Sequence, residues 1–372
     1  MAIIKNGFVH ISNYIFSFYR FFRRKYSYSV LLYLITLIVI TNELIISSTY
    51  QLYWPNKTCG ELKNYYKILM VADPQILGEN TECWIARWDS DRFLRNSFSA
   101  ALRYTQPDVI VFLGDLMDEG SHADHQQFSR YLSRFNAIFQ HATIPTIFVP
   151  GDNDIGGEDE PVYLSNVQRF EQFFASKSDL EKYEHLEFYK VNKLLRRFPN
   201  ISNIKVNSSS IRIAVSHIPL LGYADDTTEK VIKNLRPQLI FSAHDHKSIH
   251  FVGDLKTGET TFIEVLESNT HNNDIPSWRF QNGEMITNEI IVPTCSYRMG
   301  VQKIGYGLAL IDKDGSYWCY MILWLPQRLH QLRIYFYSLI LISLHLLIPF
   351  LFTFFKCFIR FCKKYSTTYT NI

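Results

Sequence analysis

Apolar and polar positions fall into three regimes along the chain. Val30–Ile40 (VLLYLITLIVI) is an uncharged apolar run, extended by Leu44–Ile46 past Thr41, Asn42 and Glu43. Counted over 27–46 it reaches the roughly 20 residues that a membrane helix needs. The alternative is a cleaved signal peptide with Arg23, Arg24 and Lys25 as its basic region. The run lies deep in the chain, however, and Ser47–Tyr50 makes a poor cleavage site, so an uncleaved anchor is expected. Ile334–Phe355 contains no charge, only His345 and Pro349. Apolar on every side, it reads as a second transmembrane helix rather than a surface helix.

Between these runs, short apolar segments alternate with amphipathic ones. Lys67–Ala72 (KILMVA), Asp108–Leu113 (DVIVFL), Thr146–Val149 (TIFV), Ile211–Val215 and Leu239–Ser242 read as buried strands. Helical patterns run over Ser90–Tyr104, His122–Gln140 and Ser165–Ala175. Strand signals crowd the stretch from Ile249 to Leu323, such as Asn288–Val292 and Gly307–Ile311. Strands alternating with helices indicate an α/β layered domain. With no internal repeat and no Pro/Ser-rich linker, one domain over 47–329 is expected between the helices at 27–46 and 334–355. Tails of 1–26 and 356–372 flank them.

Composition changes the picture only once the charge is located. The net charge of +3 suggests a faintly basic chain. Residues 1–46 and 330–372 together carry +9, so the body, with 28 basic and 34 acidic residues, carries −6. An acidic body does not bind a phosphate backbone, and nucleic acid is excluded as a partner. Arg20, Arg23, Arg24 and Lys25 precede the first apolar run, and Lys356, Arg360, Lys363 and Lys364 come after the second. The positive-inside bias puts both termini in the cytosol and the body across the membrane, lumenal or extracellular. Three sequons (Asn56-Lys-Thr, Asn200-Ile-Ser, Asn207-Ser-Ser) agree with that side. Cys59, Cys83, Cys295 and Cys319 permit two disulfides there, with free buried thiols as the alternative. Cys357 and Cys362 are palmitoylation candidates or ordinary membrane-proximal cysteines.

The chemistry lies in the residues just past each strand. The first strand ends in Asp73-Pro-Gln75, the second in Gly114-Asp115-Leu-Met-Asp118-Glu119-Gly120, the third in Gly151-Asp152-Asn153-Asp154. Ile211–Val215 leads to Ser216-His217, and Leu239–Ser242 to Ala243-His244-Asp245-His246. Ligand sites of α/β sheets lie at the carboxyl ends of strands. A lone Asp after a strand is a turn or cap, but five strand ends in order each deliver Asp, Gln/Asn or His to one edge. Carboxylates, amides and imidazoles suit Mn, Zn or Fe.

This order resembles the calcineurin-like metallophosphoesterase superfamily, whose blocks run D-x-H, G-D-x-x-D, G-N-H-D/E, H and G-H-x-H. Asp118-Glu119-Gly120, the paired terminal apolar helices and Ser296-Tyr297-Arg298 are similar to its metallophosphoesterase 1 branch, also called post-GPI-attachment-to-proteins factor 5. The resemblance implies a four-layer β-sandwich flanked by helices, with two divalent metal ions, Mn first and Zn or Fe as alternatives. One ion would take Asp73, Gln75, Asp115 and His246; the other would share Asp115 and take Asp152, His217 and His244. Two such ions, about 3.5–4 Å apart, clamp a phosphoryl group and activate a water for in-line attack. Asp118 would orient a ligand or water from behind, its alternative being an N-terminal cap for the helix near His122. Arg298 would bind a substrate phosphate, or form an ordinary surface ion pair.

Four positions depart from that pattern: Gln75 replaces a His, Asp152 an Asn, Asn153 the catalytic His, and Ala243 a Gly. An amide at 153 can donate to a phosphoryl oxygen but is no general acid at neutral pH. His122, His125, His250 and His271 fall outside the blocks and read as surface or loop residues, with His125 and His271 the two that would line a cleft. The branch implies a lumenal phosphodiesterase that removes ethanolamine-phosphate from the glycan of GPI-anchored proteins. Its work would assist ER-to-Golgi export from an ER, ER–Golgi intermediate or Golgi membrane. Two other readings stand: a phosphatase for another lumenal lipid or sugar phosphate, and a catalytically degenerate protein that binds GPI-anchored cargo.

Overall fold

The computed structural model describes residues 28–56, 64–140, 143–158, 160–174, 178–200, 210–266, 278–281, 283 and 285–369. Two units separate: Tyr50–Gln327, and the terminal segments Met1–Thr49 with Arg328–Ile372. The larger unit holds strands β1 (Tyr65–Val71), β2 (Val109–Phe112), β3 (Thr146–Phe148), β4 (Leu180–Tyr183), β5 (Leu186–Val191), β6 (Ile211–Ser216) and β7 (Leu239–Ser242). It continues through β8 (Ile249–Asp254), β9 (Thr260–Val265), β10 (Trp278–Gln281), β11 (Ile286–Ile291), β12 (Gly305–Asp312) and β13 (Tyr317–Trp324). One sheet runs β10-β13-β12-β1-β2-β3 and the other β4-β5-β6-β7-β11-β8-β9. Both are mixed: β1, β2 and β3 pair in parallel, as do β5, β6, β7 and β11, with antiparallel strands outside them.

Alternate residues of the two sheets meet in one core. Ile68 and Met70 of β1, Val111 of β2, Ile213 and Val215 of β6, Phe241 of β7 and Trp318 of β13 all belong to it. The intervening residues face helices. Phe112 packs against Phe135 and Phe139, ring centroids 5.4 and 5.2 Å apart, and against Phe98 of the helix Trp84–Thr105. On the second sheet Ala214, Ile240 and Ile291 meet Val231, Ile232 and Leu235 of the helix Asp226–Leu235. Covered on both faces, the central strands carry continuous apolar runs rather than an alternation, which makes them legible as buried strands. The layering is helix, sheet, sheet, helix, as the resemblance implied. Phe112→Ala would remove the hub of the first helix–sheet layer at a cost of about 3–5 kcal/mol.

Several boundaries move for local reasons. The helix His125–Ile138 starts at a capping box in which Asp124 Oδ1 accepts from Gln127 N (2.8 Å) and Gln127 Oε1 from Asp124 N (3.0 Å). Asp118 is therefore not its cap. His250, expected at the surface, is buried on β8, with Nε2 3.0 Å from Asn288 Oδ1 and its ring against Phe280. His122 and His125 are exposed, whereas His271 lies outside the described residues. Cys319 is disulfide-bonded, while Cys83 and Cys295 are free thiols. Two disulfides within the body are thus ruled out. Asn56 and Asn200 are exposed, but the rest of their sequons and the whole of Asn207-Ser-Ser lie outside the described residues.

In the terminal unit, Tyr28–Ile40 is α-helical and continues through a π-helical turn, Thr41–Ile45. Among the described residues, Val30–Tyr53 is the helix long and apolar enough to cross a membrane, with mean hydropathy 2.2 over its best window. Ile334–Phe355 lies inside the helix Arg328–Tyr369. Glu43, on the π turn, accepts from Arg328 Nη1 at 2.9 Å and Tyr335 Oη at 2.7 Å. Arg328 also donates to Gln331 Oε1, and Gln331 Nε2 to Asn42 O. A π turn widens the helix by one residue, which lets both Asn42 and Glu43 reach the neighbouring helix.

Candidate metal centre

The loops leaving β1, β2, β3, β6 and β7 converge because their backbones bond one another. Gln75 N donates to Asp115 O and Ile76 N to Leu116 O, both at 3.0 Å; Ala243 N donates to His217 O at 2.9 Å. The carboxylate of Asp154 collects Leu116 N, Met117 N and Gly151 N at 3.0–3.1 Å, clamping the β2 loop to the β3 loop. Two glycines allow the close approach. A Cβ on Gly114, whose φ is +95°, would stand 2.6 Å from the His217 ring, and one on Gly151 would overlap Asp115 Oδ1. Ten described non-glycine residues have positive φ, and five of them are Asp73, Gln75, Asp115, His244 and His246. Left-handed backbone costs about 1–3 kcal/mol per residue and persists where surrounding contacts force it.

Two groups of donors form, and His217 belongs to both. Asp152, His217 and His244 present ligand atoms within 4.8 Å of one another, as do Asp73, Asp115 and His217. The Leu113 carbonyl can only accept, so His217 Nδ1, 2.8 Å from it, carries a hydrogen and Nε2 is the nitrogen turned toward the carboxylates. That Nε2 lies 2.9 Å from Asp152 Oδ1, 3.5 Å from Asp115 Oδ1 and 3.3 Å from His244 Nδ1. Asp73 is fully buried, and neither of its oxygens has a hydrogen-bond partner. Three buried carboxylates around one imidazole, one of them orphaned, fit divalent cations bound through oxygen and nitrogen.

The expected residues divide accordingly. Asp73, Asp115, Asp152, His217 and His244 come together; His246, half-buried and with φ +61°, joins neither group. Gln75 Nε2 and Asn153 Nδ2 both donate to Asp115 Oδ2, at 3.0 and 2.9 Å, and Asn153 N donates to Oδ1 at 3.0 Å. Asp118 is half-buried, its carboxyl against the Gly78 N–H, and Arg298 is ion-paired with Glu82. Two further residues act on the loops. Asp154 stands inside the Gly-Asp-Asn-Asp run, where the pattern alone gives it no role; Glu119 fastens the 78–81 turn by accepting from Thr81 N, Thr81 Oγ1 and Tyr131 Oη.

Titration in the metal-free state reflects this crowding. Burial pushes the Asp73 carboxyl up to about 8, with His217 pulling against it. Burial alone would lower His217, but Asp115, Asp152 and Asp73 outweigh it and hold the imidazole up to about 10. Asp152 is held below the usual carboxylate range, since hydrogen bonds from His217 and His244 overcome its burial. Burial and the two neighbouring imidazoles push His246 down to about 4, which leaves it neutral. Burial raises the Asp118 carboxyl, opposed by the Gly78 N–H.

Residues 66–248 match the sequence model of the calcineurin-like phosphoesterase family. Those residues form a domain of the calcineurin-like metallophosphoesterase superfamily. Within it the similarity runs to the proteins called Metallophosphoesterase 1, the branch its motifs resemble. The Drosophila melanogaster Metallophosphoesterase 1 homolog is 25% identical over 298 residues, covering 65% of this chain and 78% of its own. Cell division control protein 1 of Saccharomyces cerevisiae is 25% identical over 319 residues, covering 74% of this chain. The match spans 64% of that yeast protein, just under two thirds of its length. Purple acid phosphatase PPD1 from yellow lupin seeds superposes with a TM-score of 0.40 at 10% identity, over 72% of this chain and 54% of its own.

Proposed function

We propose that the chain is a membrane-anchored, metal-dependent phosphoester hydrolase of the secretory-pathway lumen. Its substrate in this reading is the ethanolamine-phosphate diester on the glycan of GPI-anchored proteins, trimmed before ER-to-Golgi export. The observation that carries the hydrolase reading is the pair of donor groups sharing His217, with the Asp73 carboxylate buried and without a hydrogen bond. Asp73, Gln75, Asp115 and His246 would hold one divalent ion; Asp115, Asp152, His217 and His244 would hold the other. When bound, such a pair supplies Lewis-acid polarisation of the phosphoryl group and an acidified water. His217 is oriented for its part by the Leu113 carbonyl, which fixes the tautomer. Asn153 offers an N–H to a phosphoryl oxygen and no proton to the leaving group. Arg298 would add a bidentate contact to the phosphate once released from Glu82, and Asp118 orients from behind. The Val30–Tyr53 helix, with Ile334–Phe355 as a second span, would keep the domain at a membrane where lipid-linked substrates reside.

One observation favours a second reading. Gln75 and Asn153, both departures from the family pattern, donate to the same oxygen of Asp115. Amides that occupy the bridging carboxylate compete with a cation for its lone pairs, as expected of a degenerate member that binds GPI-anchored cargo without cleaving it. Full-length protein in detergent, assayed with Mn²⁺ and an aryl phosphodiester, separates the two: the hydrolase reading requires metal-dependent turnover that Asp115→Asn abolishes. The glycan profile of cells lacking the protein tests the substrate. Unchanged ethanolamine-phosphate content would rule out that substrate and leave another lumenal lipid or sugar phosphate.

A further inference from the structure

A fourth buried carboxylate lies outside the two donor groups. Glu289, on β11 between β7 and β8, is fully buried. Its Oε1 accepts from Leu220 N at 2.7 Å and Ser242 Oγ at 2.8 Å, and its Oε2 from Leu221 N at 2.6 Å. These donors are not scattered. Leu220 and Leu221 sit in the loop that begins at His217, and Ser242 ends β7 two residues before His244. The same loop is held from another side by Lys193 Nζ, 3.1 Å from Pro219 O, and the hydroxyl of Tyr223 at its end donates to Asp245 Oδ1 at 2.7 Å. A carboxylate taken wholly out of water is costly unless its lone pairs are filled. Here they are filled by the backbone of the His217 loop and the hydroxyl at the end of β7, a side-chain tie added to the backbone bond from Ala243 N to His217 O.

We infer that Glu289 is a positioning residue of the metal centre, a role that rests on the hydrolase reading above. Its two oxygens cross-link the His217 loop to the His244 loop and so set the 3.3 Å separation of His217 Nε2 and His244 Nδ1 around Asp152. Ser242 matters because it is the only one of the three donors on the His244 side. A glutamine at 289 keeps the volume but has one acceptor oxygen, and in either orientation its NH₂ would face a backbone N–H, that of Leu220 or of Leu221. One of the two ties must then break. Loosened imidazoles raise the cost of gathering ligands, so the defect falls first on the Asp152–His217–His244 group, the one that takes both tied rings.

The test is Mn²⁺ binding by calorimetry to the full-length chain in detergent, with thermal melts beside it. Glu289→Gln is expected to leave a folded chain in which one of two Mn²⁺ steps weakens about tenfold, the scale of a lost outer-shell partner. Ser242→Ala, which keeps both backbone ties, is expected to weaken the same step by a smaller factor. A folded Glu289→Gln chain with both Mn²⁺ steps unchanged overturns the positioning role. Should Glu289→Gln not fold, Ser242→Ala decides: a weakened step supports the role and unchanged steps overturn it. Wild-type protein that takes up no Mn²⁺ overturns the hydrolase reading itself, and the role of Glu289 falls with it.

Discussion

Asp73 and Glu43 are carboxylates in apolar surroundings whose charges are met in opposite ways. Glu43, on the π turn of the terminal unit, receives Arg328 and Tyr335. Its counter-charge and its hydrogen bonds come from the chain itself, so the group is complete as folded and acts as a clasp between two helices. Asp73 is more deeply buried and has no hydrogen bond on its oxygens, only the His217 ring with Nδ1 3.8 Å away. Its nearest neighbours add negative charge through Asp115 and a histidine whose ring they share. Removing one partner of a buried pair is destabilising because it strands the other charge. Asp73 stands close to that condition by construction of the fold, since one imidazole is shared among three carboxylates, as expected where the missing partner is a cation taken from solution.

The contrast between these carboxylates breaks most easily at Asp115. If the buried carboxylates hold cations, Asp115→Asn lowers Mn²⁺-dependent turnover of an aryl diester by about 10³-fold, the loss of a main electrostatic contributor. Retained turnover in a steady-state assay would return these carboxylates to structural duty. Next in size is Asn153→His, which supplies a proton donor where the amide only hydrogen-bonds and releases one bond on Asp115. A rise in kcat of about 10²-fold is expected, the lower end of general acid help. A chain that stays inactive with His at 153 would favour the degenerate reading.

The two carboxylates should then separate in melting experiments. With EDTA present, Asp73→Asn removes a carboxyl that burial forces to take up a proton and raises the midpoint by about 2–4 °C, the equivalent of ~1 kcal/mol for a domain of this size. Stabilisation by Mn²⁺ is lost in the same variant. Glu43→Gln shows the reverse: a midpoint lowered by a similar amount, since Arg328 loses its partner, and unchanged Mn²⁺ uptake. Identical responses from both would dissolve the distinction.

The smallest effect is a slope with pH. In metal-free protein the folded state holds protons on Asp73, whose pKa is raised to about 8, and on His217, raised to about 10. The unfolded chain releases them near 4 and 6.5, so above about pH 6.5 the folded state binds more protons and loses stability as pH climbs. His246, lowered to about 4, works the other way but has finished by then. Urea melts with EDTA between about pH 6.5 and 9 should show falling stability, and with saturating Mn²⁺ a flat or rising one, because ligands must shed protons to bind. A rising slope in EDTA would mean that Asp73 is ionised without metal.

How much of the fold and site is legible in sequence depends on whether the signal is local. The strands that carry Asp73, Asp115, Asp152, His217 and His244 lie at the buried centre of the sheets, and their unbroken apolar runs ending in polar residues announce both strand and site. The helix Asp226–Leu235 leaves a weak pattern although Val231, Ile232 and Leu235 fall at helical spacing behind the Asp225 cap, because polar residues dominate it. The hairpin of β4 and β5 is likewise polar in its first strand. His250 reads as a surface residue because what buries it, Asn288 and Phe280, is distant in sequence. Glu289 does leave a trace, an acid inside the apolar run Asn288–Val292, but its partners on two other loops are visible only in space. The clasp of Glu43 with Arg328 spans most of the chain and has no local mark at all.

The left-handed backbone at positions 73, 75, 115, 244 and 246 also restricts which amino acids these positions can hold. Asn, Asp, His and Gly enter that conformation readily, whereas β-branched residues are strained in it. A saturation library at these five positions would therefore be filtered twice, first by the backbone for an alphabet of small polar side chains and only then by metal affinity. Metal-binding letters are what survives the first filter. The loops thus bias the centre toward ligands before any ion arrives, and a drift in chemistry there runs along a short list of neighbours rather than across all twenty residues.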